Sequence, residues 1–244
     1  RSLACKAGCM SVPDAARAAL QQESYDGVRD FLERHSGLPG PRSNLELLAV
    51  AGEGLPAAHA ERLRHEASEY LRCCGVLRLA LDVFNPPPEP SEPDAAAQLT
   101  HFAADASWRV REAVAMAGQR VGDDDPAELR RLVTAWVDHP DPLVKRAGVA
   151  AICEPRLLRD PAMAAFAVES CKRATAGLLA LDPAQRKLPA SRTLRQALGY
   201  CWSVAIAADP TNLPEFLALG GDPDADWIVR ENRGKARLKK LLAP

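Results

Sequence analysis

The sequence predicts an all-α fold, an α-solenoid of about five to six stacked helical hairpins. A five-residue phrase occurs twice, as Trp-Arg-Val-Arg-Glu at 108–112 and as Trp-Ile-Val-Arg-Glu at 227–231, each time after an Asp-containing turn. Looser copies of its aliphatic-plus-cation core give intervals of 43, 39, 34, 50 and 35 residues. The six cores begin at Val28, Leu71, Val110, Val144, Leu194 and Val229. The chain of 244 residues is 47% apolar but only 5% aromatic, a composition that favours closely packed helices over a sheet sandwich.

The N-terminal third has a blurred helical pattern. Met-Ser-Val-Pro at 10–13 resembles a natural start, and we expect residues 1–12 to be disordered or foreign to the fold. Residues 13–84 are predicted to form a helical subdomain with degenerate repeats. Its predicted helices cover 14–22, 25–35, 44–51 and 57–81, and Gly- and Pro-rich stretches separate the middle ones.

A Pro-rich stretch at 85–93 is predicted to be an extended linker, because its five prolines are incompatible with a helix. After it, residues 94–244 are predicted to form the main repeat array. The predicted helices cover 94–103, 108–120, 126–137, 142–152, 161–181, 191–207, 213–219 and 226–242, and a loop at 182–190 widens one repeat interval.

The turns before the repeated phrase carry helix-capping residues. Asp105 or Ser107 can cap the helix that begins at Trp108, and Asp141 can cap a helix that begins with proline. The Val of the phrase faces a neighbouring helix, so the following cation points off that face. We expect the cations to reach turn carboxylates, namely Asp105, Asp141 or Asp224, and to form a ladder along the solenoid.

Charge and hydropathy argue against some classes of function. Lys and Arg total 31 against 32 for Asp and Glu, so the whole chain has no strong field for nucleic acid or an anionic membrane. Charged residues interrupt every apolar run well before the roughly 20 residues that a bilayer requires, so a cytoplasmic protein is expected. One local exception is the stretch 229–240, where six cations face one Glu. It either caps the solenoid with a soluble face or binds an anionic partner.

No cofactor site, metal site or catalytic motif is predicted. The seven cysteines are an odd set within helical patterns, which favours reduced and mostly buried thiols. Cys5 and Cys9 have no second Cys or His pair at a distance suited to zinc. The five histidines form no metalloprotease motif and have no evident nucleophile beside them.

Three segments resemble the HEAT-repeat superfamily in their order of Asp turn, Val-Arg or Val-Lys, and small residues. They read Asp-Ala-Ser-Trp-Arg-Val-Arg-Glu-Ala-Val-Ala from 105, Asp-His-Pro-Asp-Pro-Leu-Val-Lys-Arg-Ala-Gly-Val from 138, and Asp-Ala-Asp-Trp-Ile-Val-Arg-Glu-Asn from 224. The resemblance covers about residues 94–242. It implies a curved stack whose concave side binds protein, nucleic acid or another ligand.

A narrower resemblance points to the DNA alkylation repeat proteins, which are HEAT-like glycosylases. It lies in Gln-Ala-Leu-Gly-Tyr-Cys-Trp-Ser-Val-Ala from 196, in Asp-Pro-Thr-Asn-Leu-Pro-Glu-Phe-Leu from 209, and in the final Arg-containing helix. The resemblance implies aromatic rings, one carboxylate and cations around a DNA groove. The corresponding candidates are Trp136, Trp202 and Trp227 for the rings, Asp138 or Asp141 for the carboxylate, and Arg195, Arg230 and Arg233 for phosphates.

We therefore expect a non-enzymatic binding or scaffold protein whose concave face, lined by the second helix of each hairpin, engages a macromolecular partner. A protein partner is the first expectation and nucleic acid the second. The alternative is a DNA alkylation repeat-type glycosylase or a catalytically silent DNA-binding relative. In the structural alternative for each Trp, the ring fills a gap between repeats. The candidate binding residues are Trp108, Arg109, Trp136, Lys145, Arg146, Arg195, Trp202, Trp227, Arg230 and Arg233.

Overall fold

The computed structural model describes residues 12–21, 24–84 and 93–243, and within these ranges it contains helices and turns but no β-strand. The first helices are α1 (Val12–Leu20), α2 (Tyr25–Arg34), α3 (Leu45–Gly54), α4 (Ala57–Arg64) and α5 (Glu69–Asp82). The next are α6 (Ala95–Phe102), α7 (Trp108–Asp124), α8 (Pro126–Asp138), α9 (Pro142–Ile152) and α10 (Pro161–Leu179). The last are α11 (Pro183–Arg186), α12 (Pro189–Ala208), α13 (Leu213–Leu217), α14 (Pro223–Arg233) and α15 (Ala236–Leu242).

The helices stack in two layers. Helices α3, α5, α7, α9, α12 and α14 pack successively side by side, and we call them the second-helix row. The other layer packs beneath this row: α4 contacts α5, α8 contacts both α7 and α9, and α10 contacts α8, α9 and α12. Each hairpin therefore buries its apolar face against its neighbours, as in a solenoid. The predicted all-α solenoid is confirmed.

One apolar core runs through the described chain from Ala16 to Leu238. Helix α5 belongs to the N-terminal third and packs directly on α7 of the main array. The division at residue 84 into a subdomain and an array stays a prediction. Residues 1–11 and 85–92, which carry most of the predicted N-terminal segment and linker, lie outside the described residues, as do Cys5 and Cys9.

The repeated aliphatic residue occupies equivalent places in five of its six copies. Each of these five lies on a helix of the second-helix row and is buried, and they are Leu71, Val110, Val144, Leu194 and Val229. The copy at Val28 is buried too but lies on α2, outside the row. Its assignment to the repeat is wrong, because α3 occupies the position beside α5.

In two successive repeats, the cation that follows the repeated aliphatic residue donates hydrogen bonds to the turn before its own helix. Arg72 Nη1 donates to the carbonyl oxygens five and six residues earlier, at 3.0 and 3.2 Å. Arg111 Nη1 makes the equivalent bonds at 3.0 and 2.6 Å. These carbonyls lie in the turn between two helices, where a buried acceptor would otherwise lack a partner. These hydrogen bonds explain why a long cation follows the buried aliphatic residue.

The predicted carboxylate ladder is confirmed at two of its three positions. Arg72 reaches Asp105 in the next repeat at 3.4 Å, and Arg195 reaches Asp224 at 2.6 Å. Asp141 instead caps α9 by accepting from the backbone N–H of Leu143 at 2.8 Å. An N-cap carboxylate already faces the backbone donors of its own helix, so Asp141 is used there.

Two predicted long helices are broken in the structure. The helix expected at 57–81 is the hairpin α4–α5, and the helix expected at 226–242 is α14 followed by α15, with Gly234 between them. In the first case α4 folds back onto α5 at Gly75, where a Cβ would stand 2.5 Å from the Ala60 carbonyl oxygen. That close contact is a tertiary feature, which helical periodicity alone does not show. The loop expected at 182–190 contains the short helix α11.

Candidate functional site

A groove opens on the second-helix row between α3 and α7, with α5 as its floor. The floor residues lie along one side of α5 at helical spacing, and they are Tyr70, Cys73, Leu77 and Leu81. Gly52 on α3 allows the close approach, because a Cβ there would lie 2.7 Å from Leu77 Cγ. The 14 residues of α5 give the groove a length of about 20 Å.

The upper end of the groove, beside the N-terminus of α5, is largely apolar. It encloses a cavity of about 430 Å³, whose lining includes Leu48, Cys73 and Met116. Two large apolar side chains stand on its rims and face solvent: Leu45 is 60% exposed and Trp108 is 59% exposed. Exposed apolar residues that converge on one concavity are typical of a binding surface, whereas isolated ones are ordinary.

Trp108 is held in place by charged neighbours. It begins α7 directly after the N-cap Ser107, whose hydroxyl donates to Glu69 at 2.6 Å. Glu69 also pairs with Arg109 at 2.6 Å, and the Arg109 guanidinium lies over the Trp108 indole with 4.7 Å to its centroid. The cation–π contact therefore orders an indole that still exposes most of its surface.

The lower end of the groove is charged. Its cavity of about 260 Å³ shares the lining residue Met116 with the upper one, so the two are adjacent. Arg120 on α7 spans to Glu53 on α3 at 3.1 Å, and Arg156 pairs with Asp123 at 2.9 Å. At the upper rim, Arg42 forms no ion pair with any residue in the described ranges. The upper end thus combines apolar surface with an available cation.

Two of the predicted aromatic residues lie in the core. Trp136 and Trp202 are each 1% exposed. Their indole N–H groups donate to the hydroxyls of Thr100 at 2.9 Å and of Thr175 at 3.0 Å. A buried, hydrogen-bonded indole fills the space between repeats and is inaccessible to a base. The expectation that these rings form a stacking platform is corrected for both residues.

Lys145 is likewise buried rather than available to a partner. It is 9% exposed, and its ammonium donates to the Val137 carbonyl oxygen at 2.7 Å. Burial lowers the pKa of Lys145 from its ordinary value. Arg146 is largely covered as well, because it pairs with Glu112 and donates to the Arg111 carbonyl oxygen at 3.1 Å. Both cations hold α9 in the stack.

Trp227 is half-buried at the far end of the second-helix row. Its ring packs on Gly199, where a Cβ would come within 2.8 Å. The Arg195 guanidinium lies over the ring at 4.8 Å while it pairs with Asp224. Arg230 and Arg233 are exposed and line a cavity of about 380 Å³ that also contains Asp226. Among the predicted cations, these two are the exposed ones that form no ion pair with a described residue.

The two candidate catalytic carboxylates have structural partners. Asp138 forms an ion pair with Arg173 on α10, and Asp141 caps α9. No contact in the structure brings either carboxylate next to a described indole that is exposed to solvent. Within the described residues no group of three or more His, Cys, Asp or Glu side chains is arranged to hold a metal ion.

The described thiols are buried and protonated at neutral pH. Burial raises the pKa of Cys73 to about 12, so this groove residue is a poor nucleophile. Cys153 and Cys171 lie inside the array with their Sγ atoms 3.6 Å apart. The pKa of Cys153 is raised mainly by the hydrogen bond between the two thiols, and the pKa of Cys171 is raised mainly by burial.

Sequence reasoning missed the groove residues Leu45, Leu48, Cys73 and Met116. Leu45 follows the N-cap Asn44 and begins α3, so it occupies an exposed helix start where a polar residue is usual. That is the one local signal. The remaining residues belong to ordinary apolar patterns, and only the approach of α3 and α7 brings them together.

The geometry defines the class of this protein as an α-solenoid with an open groove on its second-helix row. No family model matches the chain, and no curated protein matches it. A comparison with solved structures finds a designed armadillo repeat protein, which is 16% identical with a TM-score of 0.42, over 95% of this chain and 100% of that chain. No helix in the described ranges is long and apolar enough to cross a membrane.

Proposed function

We propose that the chain is a non-enzymatic binding protein that holds an apolar segment of a protein partner in the groove over α5. The observation that carries the proposal is the pair of solvent-facing side chains, Leu45 and Trp108, on opposite rims of one apolar concavity. An indole that is ordered before binding loses little conformational entropy when a partner covers it. Trp is also the residue type most enriched among binding hot spots.

The chemistry of the groove favours binding over catalysis. Its carboxylates at the upper end, Glu69 and Glu112, are both occupied by arginines. Its thiol at Cys73 has a raised pKa. A groove about 20 Å long is suited to a short helix or to about six extended residues. A protein segment therefore fits this site better than a small substrate.

The glycosylase alternative has no structural observation in its favour. It requires exposed rings beside a free carboxylate, whereas Trp136 and Trp202 are buried and Asp138 pairs with Arg173. Trp227 is half-buried, and its ring packs on Gly199. We therefore retain the binding function and expect no release of alkylated bases from DNA.

A displayed library of random 12-residue peptides tests the proposal. We expect enrichment of sequences with an aromatic or aliphatic anchor, and we expect their binding to weaken at least 30-fold in a Leu45→Glu/Trp108→Glu double variant, as for a hot-spot pair worth 2 kcal/mol or more. Leu188 is a matched control, because it is 54% exposed and lies outside the groove. The Leu188→Glu variant should bind as wild type does.

Two results would contradict the proposal. One is a selection in which no sequence pattern is enriched over an unrelated protein. The other is a set of selected peptides that bind the double variant as tightly as wild type. Because both substituted residues are solvent-exposed, thermal unfolding of the double variant should match wild type, which separates lost binding from lost folding.

A further inference from the structure

Positive charge is concentrated at the C-terminal end of the molecule. Residues 229–243 contain six cations and one carboxylate, a formal charge of +5 in a chain whose net charge is −1. The rest of the chain therefore carries −6. The cations are Arg230, Arg233, Lys235, Arg237, Lys239 and Lys240. A segregation of charge this large points to an anionic partner for one end of the molecule.

None of these six cations forms an ion pair with a described residue, although arginines elsewhere bridge successive repeats, as Arg72 and Arg195 do. Four of the six are exposed and two are half-buried. Helix dipoles favour cations in the last turns of α14 and α15. That effect does not account for Lys235 and Arg237, which lie at the start of α15.

The start of α15 is arranged around an exposed aromatic ring. Tyr200 on α12 is 47% exposed. The Arg237 guanidinium lies over its ring at 4.8 Å and donates to its hydroxyl at 2.9 Å, and Lys235 Nζ lies 6.0 Å from the ring centroid. Helix α15 is anchored by Leu238, which is fully buried. The ring and its cations thus sit on a fixed backbone.

We propose that this C-terminal basic face, formed by the six cations and Tyr200, binds single-stranded nucleic acid. Unpaired cations release counterions from a phosphate backbone and need no further pocket to gain affinity. The Tyr200–Arg237 pair supplies an aromatic and guanidinium surface on which an unpaired base stacks. A duplex would hide its bases from that surface, so a single strand is the better match.

The apolar surface nearby does not suit the other anionic partners. Membrane binding of a short basic helix needs side chains that enter the lipid, but Leu238 is buried and Leu241 is only 37% exposed. An acidic protein segment needs apolar anchors beside its charges, and the large apolar groove lies at α5, elsewhere on the row. The basic face is therefore a site distinct from the proposed peptide groove.

Fluorescence anisotropy with a labelled 20-nucleotide oligouridylate and the full chain tests the proposal. We expect micromolar or tighter binding in 50 mM KCl. Contact of all six cations with phosphates gives a slope of about −4 in log affinity against log salt, so affinity should fall roughly 250-fold between 50 and 200 mM KCl. The Lys239→Glu/Lys240→Glu variant should lose at least tenfold in affinity and show a shallower slope.

Two further variants test separately whether base stacking and the total charge of the chain contribute to binding. Tyr200→Leu should weaken binding about 5- to 100-fold with an unchanged salt slope, because it removes a stacking surface and no charge. Arg34→Glu/Arg159→Glu makes the same charge change on exposed residues outside the basic face, and it should change affinity less than threefold.

Several outcomes would overturn the proposal. They are a dissociation constant above 100 µM at 50 mM KCl, equal binding by the Lys239→Glu/Lys240→Glu variant, binding of polyglutamate as tight as that of oligouridylate, and binding only to vesicles that contain 30% phosphatidylserine. Circular dichroism of each variant checks folding. Failure here leaves the groove proposal intact, since peptide selection uses other residues.

Discussion

Asn232 offers a sharp test of how the last repeat is attached. It is fully buried on α14, and its amide bridges to α12. Its Nδ2 donates to the carbonyl oxygens of Leu198 at 2.9 Å and Ile228 at 2.8 Å, and its Oδ1 accepts from the Ser203 backbone N–H at 2.7 Å. Asn232→Leu keeps the branched shape and the number of side-chain heavy atoms, and it removes all three bonds.

The expected cost follows from these three bonds. Each hydrogen bond contributes about 1 kcal/mol net, and a backbone group left without a partner costs more, so Asn232→Leu should lower the free energy of unfolding by about 3 kcal/mol. For a chain of this length the melting temperature should fall by roughly 6–12 °C. Calorimetry and urea titration followed by Trp fluorescence measure both quantities, because Trp227 of α14 packs on Gly199 of α12 at this interface.

A second variant at the same position places a charge in the buried site, and its stability should depend on pH. Asn232→Asp should be worse than Asn232→Leu at pH 7, because a buried carboxylate would face two carbonyl oxygens. Its deficit should shrink as pH falls towards 4, since the neutral acid can donate. Gln196→Leu, an amide on the exposed side of α12, is the control and should change stability by under 0.5 kcal/mol. An Asn232→Leu protein as stable as this control would refute the reasoning.

Three other expectations concern the core. Burial raises the pKa of Cys73 to about 12, whereas an unfolded thiol loses its proton near pH 9, so the free energy of unfolding should fall between about pH 9 and 12; urea titrations at several pH values check this. Gly75→Ala places a methyl 2.5 Å from a backbone oxygen of α4 and should lower the melting temperature by at least 5 °C in calorimetry. Trp136→Phe loses a buried donor to Thr100 and should cost about 2 kcal/mol in urea titration, whereas Trp108→Phe, at an exposed site, should cost under 0.5. Equal stability of these two Trp variants would contradict the assignment of Trp136 to the core.

Local chemistry explains which features could be predicted. The helix α9 begins and ends where capping and periodicity place it, with Asp141 as N-cap and Pro142 at the first position. Ser107 caps α7 as expected, and Asp105 supports it by accepting from the Ser107 N–H at 2.7 Å. These features depend on residues a few positions apart, so a single sequence contains the information.

The candidate site was less predictable, because burial is not a local property. Trp136 and Trp108 look alike as single aromatic residues near helix ends, yet one is 1% exposed and the other 59%. Lys145 and Arg72 occupy the same repeat position, and both bond backbone carbonyls. Lys145, which the sequence suggested as a ligand contact, is therefore already bonded within the stack.

The sequence by itself determined most of the helices, the caps of α7 and α9 and the solenoid class, because periodicity, turn residues and repeated phrases act over one hairpin. Only the tertiary structure decided which side chains face solvent. The approach of α3 and α7 over α5 creates the groove between Leu45 and Trp108, and the docking of α15 on α12 sets Tyr200 among cations. Both surfaces join residues from separate hairpins, and their contacts depend on how whole helices pack.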